Sequence, residues 1–200
     1  MTAVRTVGTD DAATLGRVLG RAFEDDPVWQ WIFPDAKGQV ARQSRMFELL
    51  VRRVHGPHGA SELTGRDGAV EAGALWDPPG RWRMPMSLQL RLALPMLRVL
   101  GTRMPALARV MSAVDKAHPS EPHWYLAVLG TDPPAQGLGL GGTLLRSRLD
   151  RCDADGLPAY LESSKAENIP YYERFGFGVT GEIAPPGGCP TIWRMWRDPQ

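Results

Sequence analysis

From Gln136 to Thr143 the chain reads Gln-Gly-Leu-Gly-Leu-Gly-Gly-Thr, with glycine at 137, 139, 141 and 142. An apolar run from Trp124 to Leu129 leads into it through Gly130, Thr131 and the turn-forming Pro133-Pro134. A helical pattern with Leu140, Leu144, Leu145, Leu149 and Cys152 on one side follows. A strand feeding a glycine-rich loop that opens a helix is suited to holding phosphate. The glycines let the backbone approach an anion, and the first helical N–H groups have no partner inside the helix. A second group lies downstream in Asn168-Ile-Pro-Tyr171-Tyr172-Glu-Arg-Phe-Gly176-Phe177. A phenol, with an ordinary pKa of about 10, keeps its proton at neutral pH and can give it to a departing anion. Glu121, just before the central apolar run, and Glu162, at the end of the next, are the candidates for taking a proton from a nucleophile.

The glycines satisfy more than one phosphate motif. Gly137, Gly139 and Gly142 fit G-x-G-x-x-G, and Glu162 stands where a dinucleotide fold wants a ribose-binding acid. In that fold the strand runs almost directly into the first glycine, whereas Thr131 to Gln136 intervene here. Too little chain follows Glu162 to complete a doubly wound sheet. A P-loop needs a lysine before Thr143, and Gly142 stands there instead.

Gln136-Gly137-Leu138-Gly139-Leu140-Gly141 matches Gln/Arg-x-x-Gly-x-Gly/Ala and resembles the pyrophosphate loop of the GNAT superfamily of N-acetyltransferases. The segment from Asn168 to Phe177 is similar to that family's Asn…Tyr-x-x-x-Gly-Phe. From about Glu121 to Arg197 the look is that of the puromycin N-acetyltransferase-like branch, as in Glu121-Pro-x-Trp-Tyr-Leu and Leu161-Glu-Ser-Ser; Ala22-Phe23-x-x-Asp26-Pro27 is similar too. The resemblance implies a GNAT fold of the α/β (α+β) class, with a mixed, mostly antiparallel, splayed central sheet flanked by helices. It implies acetyl-CoA as co-substrate, held by Leu129, Gly130, Thr131, the loop Gln136–Thr143, Asn168 and Tyr172. It further implies acetyl transfer to the primary amine of a small molecule, with Tyr172 as the acid. Glu121, Glu162 or a water relay would serve as base. Asn168 can equally cap the helix that follows it, and Tyr171 is expected only to pack. Gly130 is expected to permit a bulge that splays the strand. A noncatalytic acyl-CoA-binding regulator and a protein N-acetyltransferase are the other readings of the same residues.

The elements that position these groups follow from pattern and punctuation. Ala3–Val7 reads as a short strand and Leu15, Val18, Leu19 and Ala22 as one side of a helix that Asp26-Pro27 ends or bends. A second helix is expected from about Lys37 to Val54, then strands at Ser61–Thr64 and Ala69–Leu75. Segment 81–114 is helical in period but carries Pro85, Pro95, Gly101 and Pro105, which predicts two or three short helices. The central strand should end near Leu129, with a helix over 141–155, a strand over 158–162 and a short helix over 169–175 capped by Gly176. Strands over 177–183 and 191–196 close the chain.

Two hundred residues suit one domain, 1–200, with a sizeable core, and a net charge of +1 gives no support for nucleic acid binding. Two cysteines make no disulfide framework, and no apolar run approaches the roughly 20 residues of a membrane span. A cytoplasmic protein without leader or membrane association is expected, as monomer or homodimer. No metal is expected, because His55, His58, His118 and His123 lack supporting acid or cysteine spacing. Glu24-Asp25-Asp26 with Trp29, Trp31 and Phe33 can receive a cationic amine with an apolar body, or form a solvated helix end before core aromatics. The arginine- and methionine-rich segment 81–111 can cover an acceptor site, or be a partner or membrane-surface helix pair; its prolines argue against one long membrane helix.

Overall fold

The computed structural model describes residues 3–35 and 37–200; Met1 and Thr2 of the N-terminal stretch, and Ala36, lie outside the described residues. One seven-stranded sheet runs in the order β1-β2-β3-β4-β5-β7-β6. Its strands are β1 (Arg5–Thr6), β2 (Glu62–Thr64), β3 (Ala72–Asp77), β4 (Trp124–Thr131), β5 (Ala159–Ser163), β6 (Gly178–Ile183) and β7 (Ile192–Arg197). Every neighbouring pair is antiparallel except β4 and β5.

That parallel pair makes the opening in the molecule. β4 meets β5 only at Trp124, Tyr125 and Leu126, opposite Ala159, Tyr160 and Leu161. β4 then continues to Thr131 along β3, while β5 continues to Ser163 along β7. The two strands diverge, and the backbone of Ala127–Thr131 loses its partner on the β5 side. The register of β4 on β3 slips between Val128 and Leu126, so the bulge falls at Ala127 and not at Gly130. Gly130 pairs regularly with Gly73. Its function is clearance: a Cβ there would stand 2.8 Å from Leu19 Cδ2 and 3.1 Å from Ala22 Cβ on α1. Absence of a side chain on this strand face lets α1 (Ala12–Ala22) lie close against the sheet.

The helices are α1, α2 (Pro27–Ile32), α3 (Gln39–Leu50), α4 (Met86–Leu100), α5 (Met104–Ala117), α6 (Leu140–Ala154) and α7 (Ile169–Glu173). α3 runs on through a wider turn over Val51–His55. The short α2 has a clear local cause. Asp26 accepts from the N–H groups of Val28 and Trp29, each at 3.0 Å, and Pro27 occupies the first helical position, where no N–H is needed. Sequence reading treats Asp26-Pro27 as a stop, whereas it is an end and a start together. Pro95 lies inside α4, which continues to Leu100. Burial of Leu92, Met96 and Leu100 outweighs the single backbone bond that Pro95 forgoes.

Three apolar clusters surround the sheet. One packs α6 and α7 against Trp76, Leu126, Leu161 and Met195. A second joins α1, Phe47 and Val51 to Leu63 and Leu75. The third gathers Ile32 and Phe33, Met46, α4, α5 and the β6–β7 residues Ile183 and Ile192. Among the described residues no helix is long and apolar enough to cross a membrane.

Candidate active site

The gap between β4 and β5 widens into a cleft enclosing about 1020 Å³. Its floor is Leu126–Thr131 of β4 and Leu161–Ser163 of β5. Gln136, Gly137 and Gly139–Gly142 form one end, and Asn168, Tyr171 and Tyr172 one side. Phe23, Asp26 and Trp29 line the cleft too. The sequence-predicted residues are therefore gathered, with three exceptions. Leu138 and Thr143 sit in the loop and helix without lining the cleft. Glu121 is exposed ahead of β4, at the opposite end of that strand from the loop.

The loop leaves its backbone donors open. Gly137 and Gly139 both have φ +80°, a left-handed conformation that other L-residues adopt only at a cost. A Cβ at either would meet nothing within 4 Å, so the space above the loop is open. The described hydrogen bonds give no acceptor to the N–H groups of Gly137–Gly142. Gln136 Nε2 donates to the Thr131 carbonyl at 3.3 Å, and Arg21 grips Asp132 from α1, which together fix the loop on the end of β4. Arg146 and Arg174 also line the cleft. A pyrophosphate fits these donors: unpaired N–H groups at the start of a fifteen-residue helix, flanked by two guanidinium groups. Sequence reading missed both arginines. A lone arginine on a helix reads as a solvated residue, and only the folded chain turns Arg146, one turn into α6, toward the same opening as Arg174.

Tyr172 is 9% exposed and lies where α7 faces the gap. Burial, then the neighbouring Tyr171 and the Asp26 carboxylate, push its pKa well above the ordinary phenol value. It therefore keeps its proton throughout the neutral range. Tyr171 does more than pack: a Cβ at Gly141 would stand 2.9 Å from the Tyr171 hydroxyl, so this phenol lies against the loop. Asn168 makes no capping hydrogen bond and is exposed on the cleft wall.

The acidic run near residue 25 separates by role. Asp25 pairs with Lys165 at 2.5 Å on the rim. Asp26 is 2% exposed, caps α2 and accepts from the Ser164 hydroxyl. Burial raises its pKa above the ordinary carboxylate value, against the opposing pull of Ser164, two backbone N–H groups and Lys165. Trp29 lines the cleft, whereas Phe33 belongs to the third apolar cluster. No residue of 81–117 lines the cleft. That segment instead buttresses α2, with Arg103 donating to the carbonyls of Ile32 at 2.9 Å and Trp31 at 2.5 Å. Among the described residues no group of three or more His, Cys, Asp or Glu is placed to hold a metal ion.

Comparison with known proteins bears on this geometry. The profile of the acetyltransferase (GNAT) family matches residues 105–177, which run from α5 to the residue before β6. An uncharacterized N-acetyltransferase of Schizosaccharomyces pombe is 29% identical over 190 residues, covering 88% of this chain and 74% of the relative. A mycothiol acetyltransferase of Brachybacterium faecium is 39% identical over 57 residues, but these are 17% of its length. In fold, the chain superposes on the structure described as histone acetyltransferase HPA2 and related acetyltransferase from Corynebacterium glutamicum with a TM-score of 0.77 at 24% identity, over 100% of this chain and 97% of the other. A polyamine N-acetyltransferase of Drosophila melanogaster follows at TM-score 0.64 and 16% identity, over 99% and 100% of the two chains. The family profile over residues 105–177, the N-acetyltransferase relative and the splayed sheet shared with acetyltransferase structures support placing the chain in the GNAT superfamily of acetyltransferases, as an acyltransferase enzyme.

Proposed function

We propose that this enzyme moves an acetyl group from acetyl-CoA to the primary amine of a small molecule. One observation carries the reading: the unpaired half of β4, the open glycine loop and the Tyr172 phenol share a single cleft. Acetyl-CoA would supply a thioester already activated for transfer. Gly137–Gly142, Arg146 and Arg174 would hold its pyrophosphate, and the free edge of Leu129–Thr131 would pair with the pantetheine amides as an added strand does. Asn168 would reach the same arm. Tyr172 would protonate the departing sulfur. Glu162 would take the proton of the amine, since it lines the cleft; Glu121 is too far along β4 to share that task. Phe23 and Trp29 would offer aromatic faces to a cationic amine in the cleft. The structural neighbours named for polyamine and agmatine acetylation agree in fold with a small amine acceptor. The puromycin-like look of residues 121–197 belongs to this reading, as does a cytoplasmic setting.

The test is binding first and turnover second. Acetyl-CoA should raise the melting temperature of the wild type. Gly139→Glu, which sets a negative side chain against the phosphates, should abolish that rise. Gly139→Asn is the control for backbone strain, because asparagine tolerates the left-handed region, and it should keep most of the rise. A panel of primary amines, followed by free thiol release, then identifies the acceptor. Absence of any acetyl-CoA-dependent stabilisation in the wild type would overturn the proposal. Binding without turnover on any amine or peptide would favour the regulator reading, and turnover on peptides alone the protein acetyltransferase.

A further inference from the structure

Behind Glu162, on the side of the sheet covered by α5, four polar groups form a chain whose hydrogens are fixed by logic. The Nδ1 of His123 lies 2.6 Å from the Glu121 carbonyl, which only accepts, so this nitrogen carries a hydrogen and donates. His123 is 1% exposed, and burial depresses its pKa, so the ring is neutral and its Nε2 is bare. The Nε2 of His118 lies 3.0 Å from that bare nitrogen and must donate to it. A neutral His118 therefore presents a bare Nδ1, and 3.4 Å away stands Oε1 of Glu162. Both atoms are buried, and neither has another hydrogen-bond partner. Two acceptors facing each other in a dry site make a socket for one proton.

From this geometry we infer that Glu162 and His118 work as one proton-accepting unit, with His118 a positioning residue that acts through Glu162. The inference deepens the proposed function and rests on it for the identity of the proton's source. In the step concerned, an N–H bond of the acceptor ammonium breaks and its proton passes to the Glu162 carboxylate. It settles between Oε1 and His118 Nδ1, leaving a neutral amine and a carboxylate–imidazolium pair, so charge is conserved. The surroundings suit that state. Trp82 stacks on His118 with ring centroids 3.7 Å apart, the contact a cationic ring prefers. Tyr125 of β4 and Tyr160 of β5 meet the same ring edge-on, and burial first, then the nearby Glu162, raises the pKa of both phenols. The other charged groups facing the pair are Asp115 of α5 and Arg194 of β7, the cross-strand neighbour of Glu162; Arg83 and Lys116 line the pocket next to His118.

The experiment pairs ¹⁵N NMR of the histidine rings with steady-state kinetics on an amine that the wild type acetylates. In the wild type, neutral His118 should carry its hydrogen on Nε2 and His123 on Nδ1. The doubly protonated His118 should appear over the pH range in which kcat/KM falls, and Glu162→Gln should abolish that coincidence. His118→Asn should lower kcat/KM by about 10²-fold with the KM for acetyl-CoA unchanged, the scale of general base catalysis. Trp82→Leu, a change at a partly exposed residue, guards against misfolding of the buried variant and should shift the pH profile without removing activity. A neutral His118 with its hydrogen on Nδ1 would overturn the inference. So would full activity and an unmoved pH profile in folded His118→Asn. Failure of the wild type to acetylate any amine would count against the proposed function, while the ring tautomers would still report on the socket.

Discussion

Tyr171 and Tyr172 are adjacent and identical in chemistry, yet α7 points them at different parts of the cleft. Tyr172 is nine-tenths buried toward the gap between the strands, with a pKa raised first by burial. Tyr171 lays its hydroxyl against Gly141. Tyr172→Phe removes one hydroxyl and keeps the ring, so packing should hold while kcat falls by about 10²–10⁴-fold and acetyl-CoA affinity stays constant. Tyr171→Phe should leave kcat near wild type, any effect appearing in the KM for acetyl-CoA. Full turnover by Tyr172→Phe, measured where chemistry limits the rate, would remove the acid role. The distinction between the two tyrosines is legible in sequence only through the spacing to Gly176-Phe177. The part of the site proposed to act on the amine is less legible. Glu162 and His118 lie forty-four positions apart in sequence, in different elements, and only the fold brings Oε1 and Nδ1 to face each other.

At the scale of elements, β4, its loop and α6 could be read directly, because strand period, prolines, glycines and helix period follow each other without ambiguity. What sequence did not supply was the way helices lean on one another. α4 and α5 run as two helices despite Pro95, and they support α2 from behind instead of lining the cleft. Arg103, in the turn between them, is the clamp, with two hydrogen bonds to α2 carbonyls and its guanidinium 5.4 Å from the Trp31 ring. A lysine cannot reproduce that planar fork. Arg103→Lys should therefore loosen α2, which carries the cleft residue Trp29. The expected result is a several-fold higher KM for the acceptor, an unchanged KM for acetyl-CoA and faster amide exchange over residues 27–33. Equal changes in both KM values would place the effect in the whole fold, and no change would show that α2 needs no support from this turn.

Across the whole molecule, two hydrogen-bonded carboxylates, the half-buried Asp153 and the buried Asp26, respond to pH with opposite sign. Asp153, near the end of α6, receives two hydrogen bonds from Arg197 at 2.6 and 2.7 Å, and Arg197 also donates to the Phe175 carbonyl at 2.8 Å. One arginine thus ties the last strand to α6 and to the turn after α7, along the lining of the cleft. The hydrogen bond from Arg197 is the main cause of a lowered Asp153 pKa. Between the folded value and the unfolded value of 3.8 the unfolded chain binds the extra proton, so the stabilisation is whole above that window and is lost as pH falls through it. Asp26 is the reverse case. Burial raises its folded pKa, so its contribution is greatest below 3.8 and declines as pH rises through the folded value. Arg197→Met should cost about 2–3 kcal/mol near neutrality, less than the roughly 3–5 kcal/mol of a fully buried pair, because Asp153 keeps part of its surface in water. That deficit should shrink near about pH 3, where Asp153 is already mostly protonated in the unfolded chain. Asp26→Asn keeps an N-cap and an acceptor for Ser164 while removing a buried charge, so it should match or exceed wild-type stability near neutrality and lose that advantage in acid. Urea unfolding of both variants at the two pH values measures these differences. A deficit for Arg197→Met that is the same in acid and at neutrality would mean that the arginine holds the three elements by packing and by its bond to Phe175, with the charge of Asp153 contributing nothing.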